Sequence, residues 1–150
     1  MFSEGQLLYF TPFNFKNGDE PANKFFIVLK NVDGNTIVAS LPTSKPNPPA
    51  LIDITHGCIN KDERMFNCYL FGAGKKVCKN GFCFELNTHV YGNQINAYNE
   101  KDFTKDNERC VEGVHYFVKG ELTELELKSL LDCIRNSKSI KNKIKKYFPS

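Results

Sequence analysis

With 150 residues, 41% of them hydrophobic and 25% charged, the chain has the composition of a single globular domain with a modest core, which excludes collagen-like and disordered classes. Its longest convincing apolar run, Phe25-Phe26-Ile27-Val28-Leu29, falls far short of the roughly 20 residues that cross a bilayer, so no membrane span is expected. The net charge of +3 is uneven: Arg135, Lys138, Lys141, Lys143, Lys145 and Lys146 follow Asp132 with no acid among them, leaving 14 basic against 17 acidic residues elsewhere.

The opening Met1-Phe2-Ser3-Glu4-Gly5 lacks the basic start and apolar stretch of a secretory signal, so a cytoplasmic location is expected. Thirteen Phe and six Tyr, with no Trp, sit on nearly every strand-like run, which favours sheet over helix bundle. Gln6 to Phe10 reads as a first strand that ends at Pro12, and Asn17-Gly18-Asp19 supplies turn chemistry in the loop beyond. Phe25 to Asn31 and Thr36 to Leu41 form a hairpin through Asp33-Gly34, a strong local turn signal. Pro42 stops the second arm, and Thr43 to Pro49, with three prolines, reads as a surface loop.

Shorter strand candidates follow at Leu51 to Ile54, at Met65 to Leu70 and in the arms around Asn80-Gly81. A two-residue loop there pairs 79 with 82 and sets Cys78 opposite Cys83, close enough for a disulfide in an oxidising buffer. Otherwise six cysteines without an export signal read as reduced thiols. His56, Cys58 and Cys68 match no zinc spacing, so no metal is expected. His89 to Asn96 alternates like a strand, with Gly92 marking a bulge.

Helix is expected only at the end. Thr123 and Glu126 form a capping box ahead of Leu127, Leu130, Leu131 and Ile134, and Ser139 caps a second helix whose stripe is Ile140, Ile144, Tyr147 and Phe148. The lysines of that tail read either as a surface for a polyanion or acidic partner or as a solvated helix face. Together the elements give one domain over residues 1–150: a small, strongly bent antiparallel sheet or barrel closed by C-terminal helices, without repeats.

Walker loop, dinucleotide fingerprint, nucleophile elbow and zinc-protease helix are all missing from the sequence. The functional signal is an ordered series. Gly5 to Phe10 leads through a polar loop with Gly18 and Glu20 to Phe26-Ile27-Val28-Leu29, then to Val38-Ala39-Ser40-Leu41-Pro42-Thr43-Ser44; Tyr91 to Ile95 and Gly120-Glu121-Leu122-Thr123 come later. This series resembles the MazF/PemK family of toxin endoribonucleases, the toxin half of type II toxin-antitoxin pairs. Thr43-Ser44 fall on the family's Thr-Ser, Gln94-Ile95 on its Gln-Ile, and Gly120 to Thr123 on its Gly-x-Leu-Ser helix start. Two departures stand out: Lys24-Phe25 replaces Arg-Pro, and the middle segment, about 45–88, is enlarged.

The resemblance implies a mainly β, SH3-like small barrel with C-terminal α-helices and metal-independent cleavage of single-stranded RNA through 2′-hydroxyl attack, with no cofactor. It further implies a homodimer and an antitoxin partner covering the RNA groove. By position, Lys24, Thr43 and Ser44 are the expected catalytic set, the lysine supplying charge at the phosphate and the hydroxyls donating to it. Lys16, Glu20, Lys45, His89, Tyr91 and Gln94 are the expected RNA contacts, while Phe13, Phe15 and Tyr91 either stack on bases or fill the barrel rim. Because lysine is a point charge that cannot hold a phosphate bidentately, the alternative reading is a catalytically weak or inactive relative, an SH3-like module that binds RNA or protein.

Overall fold

The apolar run of the second strand has no polar side to turn to water, and the fold answers by covering both of its faces. The computed structural model describes residues 2–13, 22–41, 56–61, 66–99 and 111–149. Its strands are β1 (Gln6–Phe13), β2 (Ala22–Val32), β3 (Asn35–Leu41), β4 (Gly57–Lys61), β5 (Phe66–Phe71), β6 (Thr88–Tyr91), β7 (Ile95–Asn99) and β8 (Tyr116–Glu121), followed by helices α1 (Glu124–Arg135) and α2 (Asn142–Lys145). They make two antiparallel sheets, one of five strands in the order β7-β3-β2-β1-β8 and one of three in the order β4-β5-β6. The protein is thus mainly β with C-terminal helices, and among the described residues neither sheet closes into a barrel.

One face of the five-stranded sheet places Leu7, Ile27, Leu29, Ile37 and Ile95 against Tyr69 and Phe71 of the second sheet and against Leu130, Ile134, Ile144 and Phe148 of the helical segment. The other face gathers Leu8, Phe10, Phe26, Val28, Val38, Tyr98 and Tyr116, with Phe2 edge-on to Phe10 and Tyr116. That double burial explains the unbroken run Phe26 to Leu29, every residue of which is at most 1% exposed.

The hairpin expected at Asp33-Gly34 forms, with Val32 paired to Asn35 and φ of 50° and 81° at the two loop residues, the backbone of a primed turn. Six residues before Gly34 the register shifts by one between Val28 and Lys30. The bulge directs two consecutive residues to the helical side: Leu29 enters the core, and Lys30 Nζ donates to the Tyr147 carbonyl at 2.9 Å. β1 runs on to Phe13, past the expected stop at Pro12, which falls where the pairing with β2 becomes irregular.

Several expectations are corrected. The Asn80-Gly81 turn is wider than a two-residue loop: Gly81 N donates to Cys78 O at 2.9 Å, Val77 N donates to Phe82 O at 3.0 Å, and Cys83 lies opposite Lys76. Cys78 instead pairs with Leu122, just past the end of β8, so Cys78 and Cys83 do not face each other and both remain free thiols. The cysteines are not all reduced, because Cys58 on β4 and Cys133 on α1 form a disulfide across 75 residues. Burial pushes two of the thiols away from reactivity, Cys68 up to about 12 and Cys78 up to about 11.

The run from His89 to Asn96 is not one strand. It divides into β6, a 3-10 turn at Gly92–Gln94, and β7 in the other sheet. Gly92 is required there for proximity, since a Cβ would lie 2.5 Å from Ser139 Oγ and 3.0 Å from Ile140 Cγ1. Ser139 does not cap α2, which starts from Lys141; its hydroxyl meets that of Ser137 at 2.9 Å. The Leu51 to Ile54 candidate lies outside the described residues. Among the described residues no helix is long and apolar enough to cross a membrane.

The close approach at Gly92 is testable. Gly92→Ala should lower unfolding stability by about 1–3 kcal/mol in urea titrations, the usual penalty for overpacking. Adding Ser139→Ala should recover part of that loss and not all, because the Ile140 backbone nitrogen stays 3.2 Å from the new methyl.

Candidate functional site

The register of β2 decides which expected site residues come together. Lys24 is opposite Phe10 and Phe25 is opposite Tyr9 on one side, while on the other Phe25 is opposite Leu41, the last described residue of β3. The chain therefore leaves β3 toward Thr43 and Ser44 right beside the start of β2. On the far side of β3, Ala39 pairs with Ile95, which sets Gln94 next to Ser40 at the same end of the sheet. Lys24 and Gln94, both half-buried, thus share one sheet end with the β3 exit. Thr43, Ser44, Lys45, Lys16 and Glu20 lie outside the described residues, as does Phe15.

By alternation along β2, Lys24 belongs to the face of Phe10 and Phe26, opposite the face of Phe25. His89 and Tyr91 sit elsewhere, on β6, opposite Leu70 and Cys68. His89 is 5% exposed and its ring stacks on Tyr91, with centroids 5.7 Å apart. Burial holds its pKa below the ordinary imidazole value of 6.5, so the ring is neutral and serves packing as placed. In the basic tail, Arg135 pairs with Asp132 at 2.8 Å and Lys141 donates to Asn96 Oδ1 at 2.8 Å, so part of that charge is held by the fold.

A second constellation was not expected from the sequence. His56 Nε2 lies 2.7 Å from Glu126 Oε1, Tyr69 OH donates to Glu126 Oε2 at 2.7 Å, and Gly72 N donates to His56 Nδ1 at 3.1 Å. His56 Nδ1 is thus an acceptor, and Nε2 approaches the carboxylate without hydrogen-bond geometry. His56, Tyr69 and Glu126 line a cleft of about 670 Å³ whose wall includes the Cys58–Cys133 disulfide, Lys75, Lys76 and Asp132. Tyr69 is raised by burial and then by its bond to Glu126, which keeps the phenol protonated. The Tyr69–Glu126 bond pins α1 to the second sheet, while His56 Nε2 is buried beside the carboxylate without a hydrogen-bond partner.

The capping-box expectation at Thr123 holds in its first half only. Thr123 Oγ1 accepts from Glu126 N at 3.2 Å, but Thr123 N donates to the Val77 carbonyl at 3.1 Å. That backbone bond occupies the donor to which a capping-box glutamate would return, and Glu126 is left to bind His56 and Tyr69. The Thr-x-x-Glu spacing gives the cap and hides the destination of the acid. Among the described residues no group of three His, Cys, Asp or Glu side chains is arranged to hold a metal ion.

No protein family, curated protein or solved structure matches the chain. The functional reading therefore rests on which residues the strand pairing places side by side.

His89 gives a pH test with a definite sign. Its folded pKa is depressed, so below 6.5 the unfolded chain takes up a proton that the folded chain resists, and stability falls as pH drops through that value toward the folded pKa. Thermal melts between pH 7.5 and 5 should show a smaller decline for His89→Phe than for the wild type; equal slopes would mean that the histidine titrates normally in its packed position.

Proposed function

We propose that the protein is a metal-independent endoribonuclease of the MazF/PemK type, acting on single-stranded RNA from a curled, SH3-like arrangement of its sheets. One observation carries the reading: the pairing of Phe25 with Leu41, which sets Lys24 at the strand start beside the point where the chain departs for Thr43 and Ser44, with Gln94 at the same sheet end. Lys24 and Gln94, far apart in sequence and matched to one family pattern, thereby lie at one end of the sheet.

The chemistry suits those residue types. The 2′-oxygen forms its bond to phosphorus as the bond to the 5′-oxygen breaks, leaving a 2′,3′-cyclic phosphate and a 5′-hydroxyl, with one proton lost from the nucleophile and one gained by the leaving oxygen. Negative charge grows on the phosphate oxygens in between, and a lysine ammonium with two hydroxyl donors opposes it. The same reading carries a cytoplasmic location, a homodimer and an antitoxin that occludes this sheet end. A second reading is favoured by Lys24 itself: a single ammonium in place of a forked guanidinium fits a module that binds RNA and cuts it weakly or not at all.

Purified protein incubated with mixed single-stranded RNA in EDTA should give discrete fragments ending in cyclic phosphate. Thr43→Ala and Lys24→Ala should each slow cleavage by roughly 10²-fold, the scale for loss of one donor at a developing oxyanion, while Lys24→Arg should keep or raise the rate. RNA that is bound and left intact supports the module; RNA neither bound nor cut rejects both readings.

A further inference from the structure

Three aromatic residues from three strands lie in one row across the five-stranded sheet. Tyr9 of β1 is the cross-strand partner of Phe25 on β2 and of Phe117 on β8, so all three rings share a face. The Tyr9 and Phe25 rings are 4.6 Å apart, and Phe84 continues the row at 6.1 Å from Phe25. The second sheet and helices cover the deeper part of this face and leave this end open: Tyr9 and Phe25 are half-buried, and Phe117 is 38% exposed.

Beside the rings sits a placed cation. β1 pairs Leu7 with Gly120 and Leu8 with Val118, so Lys119 is an extra residue in β8, and the bulge turns it over the aromatic row. Its Nζ is 5.7 Å from the Tyr9 ring centre and 5.6 Å from that of Phe117. We propose that Phe25, Tyr9 and Phe117, with Lys119 above them, form a stacking platform for the bases of single-stranded RNA.

Two features favour RNA over an apolar protein segment. The lysine over the rings matches a ligand that carries both flat bases and phosphate charge, whereas an apolar segment would have to desolvate it. The row also leads toward the proposed chemistry, since Phe25 is opposite Leu41, beyond which the chain continues to Thr43 and Ser44. At about 4.8 Å between strands, three rings span about 10 Å, room for on the order of two nucleotides entering the cleavage point. The platform rests on the reading of single-stranded RNA as substrate, and it names the face by which the bases are held.

The test is a fluorescence-anisotropy titration of the full chain with labelled octauridylate and with an abasic ribose-phosphate oligomer of equal length. Wild type should bind the octamer more tightly than the abasic strand. Phe117→Ala should weaken octamer binding by roughly tenfold and leave abasic binding unchanged, while Phe117→Tyr restores affinity, which separates stacking from a folding defect. If wild type binds the octamer and neither Phe117→Ala nor Lys119→Ala alters it, the platform is wrong and the substrate reading survives. If wild type binds neither strand, the substrate reading fails and takes the platform with it. A fall in molar mass by light scattering for Phe117→Ala, without loss of RNA affinity, would assign this face to contact between copies of the chain and overturn the proposal.

Discussion

The register of β2 against β1 and β3 is the constraint on which the candidate site depends. In a strand buried on one face, alternation of apolar and polar residues sets the register, because a one-residue slip would drive the apolar set into water. β2 lacks that safeguard, since Phe26 and Val28 are buried on one face and Ile27 and Leu29 on the other. Its register is held instead by the Asp33-Gly34 turn at one end and by the bulge at Leu29, where Lys30 anchors to the Tyr147 carbonyl. A slip would separate Lys24 from the β3 exit and Phe25 from Tyr9 with little change in total apolar burial, so local geometry guards the candidate site at this end of the sheet.

A second restraint holds the helix that closes the main core. Glu126 and Cys133 are seven residues apart on α1, about two turns, and so share a face. Glu126 is tied to His56 and Tyr69, and Cys133 to Cys58, so polar and covalent links clamp the two ends of one stripe onto β4, β5 and the residue before them. Fully buried Leu130 lies between them. Cross-linking a loop of 75 residues contributes about 4 kcal/mol in the chain-entropy picture, and the Tyr69 hydrogen bond to a charged Glu126 about 1.5–3 kcal/mol, so this small helix is held well beyond its own propensity.

What the sequence makes legible is local. The Asp33-Gly34 turn, the Thr123 cap and the buried stripe of Ile140, Ile144 and Phe148 depend on residues within a turn or two of one another, and each appears where expected. What it hides depends on partners brought in from elsewhere. Gly92 breaks a strand because Ser139 and Ile140 crowd it, Cys78 leaves its hairpin partner because Leu122 takes the pairing, and Cys58 finds Cys133 only after α1 has docked. β8 escapes notice because its exposed Phe117, Val118 and Lys119 give no alternating pattern. At the candidate site, strand pairing brings Lys24 and Gln94 to one sheet end, and the aromatic row across β2, β1 and β8 is invisible in sequence, since Phe117 stands far from Tyr9 along the chain.

On the proposed reading, the two parts of the site do different work. Stacking on Tyr9, Phe25 and Phe117 holds the bases equally before and during bond breaking, so it strengthens substrate binding without accelerating the chemical step. Acceleration has to come from groups whose interaction grows as charge builds on the phosphate, which means Lys24 and the hydroxyls of Thr43 and Ser44. A lysine there gives a weaker, less directional grip than an arginine, and a base platform compensates in binding for what the phosphate contact lacks. On that reading the opposite faces of β2 would divide the work: with Lys24 on one and Phe25 on the other, a strand of RNA would bend over the sheet end, its bases on the aromatic side and its phosphate at the rim.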